Sequence, residues 1–116
     1  MNVLDQNSLD ALRSLQDDAD DDLLSELIDL FLQDAPARLD VIRDAIARLD
    51  WTALAAAAHS LKGSCGSLGA LHMAVLCGRL ERYGRTGGDR RDAEQIFTEL
   101  EAQSVLVREA LERERG

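Results

Sequence analysis

The 116-residue sequence is poor in several residue types, and each shortage narrows what the chain can be. Aromatic residues make up only 3% of it, so leucine, isoleucine, valine and alanine must fill the core. Proline occurs once, which leaves long stretches free to form helices. No apolar run approaches the roughly 20 residues that a membrane-spanning helix needs, and the first ten residues lack a secretory pattern. We therefore expect a cytoplasmic protein whose two cysteines, Cys65 and Cys77, are free, buried thiols.

Basic residues are also few: the chain has 13 of them against 22 acidic residues, which gives a net charge of -9. An acidic surface repels nucleic acid and anionic membranes, so neither is an expected partner. Five aspartates lie in the segment 16–22, "QDDADDD". A calcium loop would need alternating ligands, a central glycine and a closing glutamate, all of which are missing. The segment predicts a solvated turn whose last acids favour the start of the next helix.

Apolar residues recur at helical spacing over the first half of the chain. A short first helix is predicted, with Ser8 as its N-cap. A longer apolar stripe then continues in phase across Pro36. It predicts either one kinked helix or two abutting helices, with Asp34 as the cap of the second. The stripe consists of Leu24, Leu27, Ile28, Phe31, Leu32, Leu39, Ile42, Ile46 and Leu49.

Three further helices are predicted in the second half. Asp50 caps a helix that begins near Trp51 and ends near Gly69, residues 70–84 form another, and Asp89 caps a long last one. The expected core residues of these helices are Leu54, Ala58, Leu61, Cys65, Leu68, Met73, Leu76, Cys77, Leu80, Ala93, Ile96, Phe97, Leu100, Val107 and Leu111. Amphipathic helices with short connections and no strand pattern predict an all-α antiparallel bundle.

The stretch "AAAAHSLKGSCGSLGA", residues 55–70, contains the only lysine of the chain, Lys62, three residues after His59. At about 100° per residue, His59 lies roughly 140° from the middle of the apolar stripe of its helix and should point to solvent. Small residues share its face, which we call the docking face: Thr52, Ala55, Ala56, Gly63 and Gly66.

An exposed helix face normally carries long charged side chains, so this one is unusual. Each glycine costs roughly 1 kcal/mol relative to alanine inside a helix, which calls for a compensating reason. Because the side chains around His59 on this face are short, we expect that another protein can contact His59 closely. Two simpler interpretations remain open at this point. A lone helical histidine is most often ordinary surface, and Gly63 or Gly66 could serve close packing within the bundle.

The second histidine, His72, has no comparable surroundings, and we interpret it as structural. A zinc site of Cys65, His72 and Cys77 is conceivable. It has no evident fourth ligand, its spacing matches no usual ligand pattern, and both cysteines fall on core stripes.

The motif "AAHSLKGSCGSLGA" resembles the signature of histidine-containing phosphotransfer (HPt) domains of bacterial multistep phosphorelays. The family pattern is a histidine, two residues, Lys-Gly, small residues and Leu-Gly, and this chain matches it at His59, Lys62, Gly63, Leu68 and Gly69. Flanking segments extend the resemblance over about residues 8–112 of a single domain, residues 1–116. Cys65 departs from the pattern, because the family has small residues there, but it faces the predicted core.

The resemblance implies an elongated four-helix bundle with a short N-terminal accessory helix. It implies that His59 is phosphorylated on a ring nitrogen, that Lys62 stabilises the phosphoryl charge, and that Gly63 lets the partner approach closely. The implied partner is a receiver domain of a response regulator or hybrid histidine kinase, which supplies the acceptor aspartate and Mg²⁺. The chain itself would need no cofactor, would lack kinase activity of its own, and is expected to be a monomer.

Antiparallel pairing of two helices about a turn near residues 69–70 would place residues near 80 opposite His59. Glu81 could then accept a hydrogen bond from the other imidazole nitrogen and orient the ring, or it could be an ordinary solvated glutamate. We also expect Lys62 to have no structural partner and to contribute little to stability.

Three other functions compete with a phosphorelay intermediate. A histidine kinase dimerisation domain is disfavoured, because the histidine is not followed by the glutamate and proline of that motif. The phosphotransfer domain of a chemotaxis-type kinase would perform the same chemistry. A helical adaptor would perform none and would take up no acid-labile phosphate.

Overall fold

The computed structural model describes residues 3–15 and 23–115. Within these residues it contains five helices and no strand. The helices are α1 (Gln6–Ser14), α2 (Leu23–Ala47), α3 (Trp51–Ser67), α4 (Leu71–Thr86) and α5 (Arg90–Arg115). The acidic segment 16–22, for which the sequence predicts a solvated turn, lies outside the described residues.

The four longer helices form a closed bundle, in which α2 and α4 each pack against both α3 and α5. Three-residue connections link α2 to α3, α3 to α4 and α4 to α5, so consecutive helices run antiparallel. The short helix α1 packs against α2 at one end. The molecule measures 50 × 26 × 19 Å. The predicted bundle and its short accessory helix are confirmed. None of the helices described is both long and apolar enough to cross a membrane.

Two of the predicted helix caps are confirmed and one is wrong. Asp50 Oδ1 accepts a hydrogen bond from the Ala53 amide at 3.1 Å, and Asp89 Oδ1 accepts one from the Arg91 amide at 2.9 Å. Ser8 is not an N-cap, because α1 begins two residues before it and Asp5 occupies the cap position. The Ser8 hydroxyl instead donates to Asp5 Oδ2 at 2.8 Å.

Helix α2 continues through its proline. Pro36 lies in the middle of one helix of 25 residues, so the expectation of two abutting helices is wrong, and so is Asp34 as a cap. Proline removes one backbone hydrogen bond and costs about 3 kcal/mol in a helix interior. Buried side chains on both sides, such as Phe31, Ala35 and Ile42, bind the two halves of α2 to the same core and offset this cost.

The predicted core is confirmed except at one position. All the core residues expected in α3, α4 and α5 are buried, as are five of the nine stripe residues before Trp51. Leu27, Leu32 and Leu39 are partly buried against this core. Leu49 is 50% exposed, contrary to prediction. It has a φ of 57°, which turns the chain out of α2 and carries the Leu49 side chain away from the core.

The turn between α3 and α4 is fixed by Gly69 and by the start of α1. Gly69 has a φ of 76°, a conformation that favours glycine. Its carbonyl accepts a hydrogen bond from the Asp5 amide at 2.8 Å. A Cβ atom at this position would lie 2.9 Å from the Asp5 carbonyl oxygen. The glycine therefore permits both the turn and the contact with the chain that precedes α1.

Helices α3 and α4 approach closely at Gly84. A Cβ atom there would lie 2.5 Å from the Ala55 amide nitrogen and 2.6 Å from the Trp51 carbonyl oxygen. Backbone atoms cannot move aside as the end of a flexible side chain can. Gly84 therefore sets the spacing of the α3–α4 seam, across which His59 faces α4.

We expect Gly84→Ala to lower the free energy of unfolding by about 1–3 kcal/mol, the usual cost of overpacking. Gly78→Ala in the same helix is the matched control, because its Cβ would meet only Lys62 Cδ at 3.6 Å. This control should be neutral or gain up to about 1 kcal/mol from helix propensity. Urea unfolding measures both variants. Equal stability of the two would contradict the close approach at Gly84.

Candidate functional site

His59 projects from the middle of α3, and its side chain is 64% exposed. The exposure predicted from helical geometry is therefore confirmed. Nδ1 of the ring lies 3.0 Å from Oε2 of Glu81, on the neighbouring helix α4. The sequence prediction that Glu81 lies opposite His59 is also confirmed, because α3 and α4 pair antiparallel about the turn at Gly69.

Glu81 is not an ordinary solvated glutamate. Its side chain is only 5% exposed, and among the residues described it is the one buried polar or charged residue. Its carboxylate contacts Nδ1 of His59, Nζ of Lys62 at 2.5 Å and the guanidinium of Arg85. A buried charge is tolerated only when it is paired and hydrogen-bonded, and these three contacts supply that pairing.

The charge of Glu81 also indicates which nitrogen of the neutral ring carries the proton. The hydrogen bond from Lys62 holds the pKa of the Glu81 carboxyl below its usual value of 4.5. Burial opposes this shift, whereas the His59 hydrogen bond and the charge of Arg85 add to it. An ionised carboxylate only accepts hydrogen bonds, so we assign the proton of the neutral ring to Nδ1. The lone pair of the ring is then on Nε2.

Lys62 differs from the expectation in having a structural partner. It lies one helical turn after His59, is 39% exposed, and donates to Glu81 Oε1. The expectation that it has no structural partner is wrong. The reason is that helical arithmetic places a residue on its own helix but does not show what the neighbouring helix presents. Lys62 thus balances the charge of Glu81 while it remains within reach of solvent.

Arg85 was missed in the sequence analysis. It lies four residues after Glu81 on α4, is 65% exposed, and forms an ion pair with the buried carboxylate. The spacing of an acid and a base at i and i+4 is a recognised signal for such a pair. Two cations, Lys62 and Arg85, therefore reach the same carboxylate from different helices.

Most of the docking face is open. Thr52, Ala56, Gly63 and Gly66 are exposed, and a Cβ atom at either glycine would meet nothing within 4 Å. Neither glycine is therefore needed for packing within the bundle, and the packing interpretation of this pair is wrong. Ala55 is the exception in the face.

Ala55 is partly buried, because it packs against Gly84 in the α3–α4 seam. The expectation that it belongs to the open face is corrected accordingly. On the opposite side of the face, a shallow hollow between α2 and α3 is lined by Ala37, Val41, Ala53, Ala56, Ala57, Arg38 and Ser60. Val41 is 51% exposed there, so small apolar surface continues from the docking face onto α2.

The two cysteines and the second histidine take no part in this cluster. Cys65 and Cys77 are free and buried, and their mutual contact together with burial raises the pKa of the Cys65 thiol. His72 is exposed in the first turn of α4. In the part of the chain that the structure describes, no three or more His, Cys, Asp or Glu side chains are grouped to hold a metal ion.

We expect the free energy of unfolding to fall as the pH drops below about 4.5, the ordinary value for a glutamate. Glu81 has a lowered pKa in the folded protein, so its stabilisation is present above the unfolded value and is lost as the pH falls through the folded one. Glu81→Gln should make this decline shallower. Urea unfolding at pH 3 to 7 measures the slope.

Glu114 provides a comparison, because its hydrogen bond from Arg13 lowers its pKa in the same direction. Glu114→Gln should flatten the decline as well, and the double variant should show both effects, since distant sites add. Curves for wild type and Glu81→Gln that stay parallel below pH 4.5 would contradict the assignment.

Comparisons with known proteins agree with the architecture and the motif. The family model described as "Hpt domain" matches residues 26–115. The crystal structure of histidine-containing phosphotransfer protein B from Pseudomonas aeruginosa is similar over 97% of this chain and 94% of that one. The TM-score is 0.88 and the sequence identity 30%.

Two curated relatives are similar in sequence. Histidine-containing phosphotransfer protein 2 of Arabidopsis thaliana is 35% identical over 69 residues, which cover 57% of this chain and 44% of the relative. Multistep phosphorelay regulator 1 of Schizosaccharomyces pombe is 26% identical over 109 residues, which cover 90% of this chain and 37% of the relative. The chain thus spans less than half the length of these two proteins. With a family match over residues 26–115, most of its length, the chain belongs to the histidine-containing phosphotransfer (Hpt) domain family.

Proposed function

We propose that the chain accepts a phosphoryl group on Nε2 of His59 and exchanges it with an aspartate of a receiver domain. The observation that carries this proposal is the contact of Nδ1 with the buried Glu81 carboxylate. It holds the ring in one orientation on an exposed face and leaves the Nε2 lone pair as the available nucleophile.

In the proposed transfer, the Nε2 lone pair attacks phosphorus while the bond to the aspartyl oxygen breaks, and the aspartate leaves with that electron pair. Catalysis of such a step consists mainly of positioning and charge stabilisation. Lys62 and Arg85 both contact Glu81, the carboxylate that also contacts the His59 ring. From there, both cations would be able to turn toward the oxygens of a phosphoryl group on the ring. Each attraction is about 1 kcal/mol while exposed to water and larger once a partner excludes it.

The proposed partner is a receiver domain of a response regulator or a hybrid histidine kinase. It would supply the aspartate and the Mg²⁺ ion, so this chain would need no cofactor and have no kinase activity of its own. We further propose that the chain acts as a monomer in the cytoplasm. The two unpaired, buried thiols support that location, because disulfides are rare there.

The proposed docking surface is the open part of the docking face, continued onto α2 at Val41. A receiver aspartate must come within bonding distance of the phosphoryl group on His59, so the backbone of α3 must lie close to the partner. Gly63 and Gly66 leave that space empty. The exposed apolar side chain of Val41, which lines the hollow next to Ala56, suits a protein partner.

We expect His59→Gln to abolish phosphoryl uptake and to leave the fold intact. Among the described residues, the hydrogen-bond partner of the exposed ring is Glu81, and that carboxylate keeps its contacts with Lys62 and Arg85 when the ring is removed. His72→Gln is the matched control, an exposed histidine outside the cluster, and should label like wild type. Labelling with phosphoramidate or a phosphorylated receiver, followed by detection of acid-labile phosphate, measures both. Uptake by His59→Gln would overturn the assignment. No uptake by wild type would favour a helical adaptor.

We expect Gly63→Gln to keep or raise thermal stability, because its side chain meets nothing in the bundle and helix propensity improves by up to about 1 kcal/mol. The same side chain would project into the gap that the receiver must close. Transfer from a receiver should therefore fall strongly, whereas labelling by phosphoramidate should fall much less. Equal loss with both donors, or unfolding of the variant, would count against the docking surface.

A further inference from the structure

We infer that Glu81 keeps Nδ1 of His59 protonated after the phosphoryl group is on Nε2, so that the ring leaves as neutral imidazole when the phosphoryl group moves on. This inference rests on the proposed function and assigns Glu81 a role beyond orienting the ring. Glu81 would be a positioning residue for a proton, and it would determine how readily the phosphohistidine gives up its phosphoryl group at neutral and alkaline pH.

The Nδ1 proton determines the charge of the imidazole when it acts as the leaving group. When the Nε2 lone pair bonds to phosphorus, a ring that retains its Nδ1 proton becomes positively charged. In the reverse step an acceptor oxygen bonds to phosphorus, the Nε2–phosphorus bond breaks, and its electron pair returns to Nε2. With Nδ1 still protonated the leaving group is neutral imidazole. Without that proton it would be an imidazolate anion, which is a far poorer leaving group.

The geometry provides the acceptor that retains this proton. Oε2 of Glu81 lies 3.0 Å from Nδ1 of His59, and the carboxylate is almost fully buried. In the phosphorylated ring Nε2 is bonded to phosphorus, and the ionised carboxylate can accept a hydrogen bond only from a protonated Nδ1, so its charge favours retention of that proton. An amide at this position would still accept the hydrogen bond but would lack the charge.

The surrounding charges are consistent with a protonated phosphohistidine. Before phosphorylation, the neutral ring, one carboxylate and two cations leave one net positive charge. A ring cation and a phosphoryl dianion bring the cluster to zero. The facing groups are Lys62 on α3 and Glu81 and Arg85 on α4. On α2, which packs against α3, the guanidinium of Arg38 donates to the Ser60 hydroxyl. Helix α5 packs against α2 and α4.

The test is the pH profile of phosphohistidine loss in the absence of any partner. Wild type and Glu81→Gln are phosphorylated with phosphoramidate, freed of donor and followed by ³¹P NMR from pH 6 to 9. The wild-type rate should change less than about threefold between pH 6.5 and 8.5. The Glu81→Gln rate should fall by more than about tenfold over the same range, because Nδ1 then lacks the charged partner that retains its proton. Glu114→Gln, which removes a carboxylate that holds Arg13, should follow wild type.

Superimposable profiles of wild type and Glu81→Gln would overturn the inference. If Glu81→Gln does not fold or label, ¹⁵N chemical shifts of the phosphorylated wild-type ring decide. Nδ1 protonated at pH 8 supports the inference, and Nδ1 unprotonated at that pH overturns it. Both results leave the proposed function intact, because they presuppose labelled His59. Failure of wild type to label on His59 would instead remove the proposed function, and this inference with it.

Discussion

The arrangement of the site depends on one buried negative charge in the seam between α3 and α4. Removing the Glu81 carboxylate from water is costly unless other groups compensate it, and His59, Lys62 and Arg85 do so. Two of these donors lie on α3 and one on α4, so the contacts hold the two helices in one register. The seam closes because Gly84 brings the two backbones together. The orientation of the His59 ring is thus a consequence of satisfying a buried charge.

This arrangement fixes the inner nitrogen of the His59 ring and leaves the rest of the ring accessible to solvent. The inner nitrogen of His59 contacts a nearly buried group, whereas most of its side chain is exposed. Lys62 and Arg85 contact the same carboxylate but keep a third or more of their side chains in solvent. In the proposed transfer, these two partly exposed cations are available to a phosphoryl group on the ring. The core does not need Gly63 or Gly66, because a Cβ atom at either position would meet nothing within 4 Å.

Periodicity predicted most of the fold because a bundle buries the faces that helical spacing defines. The same arithmetic predicted that His59 is exposed, and the antiparallel turn at Gly69 predicted its proximity to Glu81. What spacing within one helix did not predict was the contact between helices: the burial of Glu81, the pairing of Lys62, and the partial burial of Ala55 behind Gly84. These depend on how closely two backbones approach. The exposure of Leu49 was missed for a local reason, a left-handed backbone conformation that periodicity does not encode.

The central claim is that the exposed nitrogen of His59 carries the phosphoryl group while the inner nitrogen stays with Glu81. The most direct measurement is ¹⁵N–³¹P NMR of the chain labelled with ¹⁵N-histidine and phosphorylated with phosphoramidate. We expect a single phosphorus-bonded nitrogen, Nε2 of His59, and a chemical shift of Nδ1 that shows it protonated and hydrogen-bonded to Glu81. Phosphorus bonded to Nδ1 of His59, or to either nitrogen of His72, would contradict it.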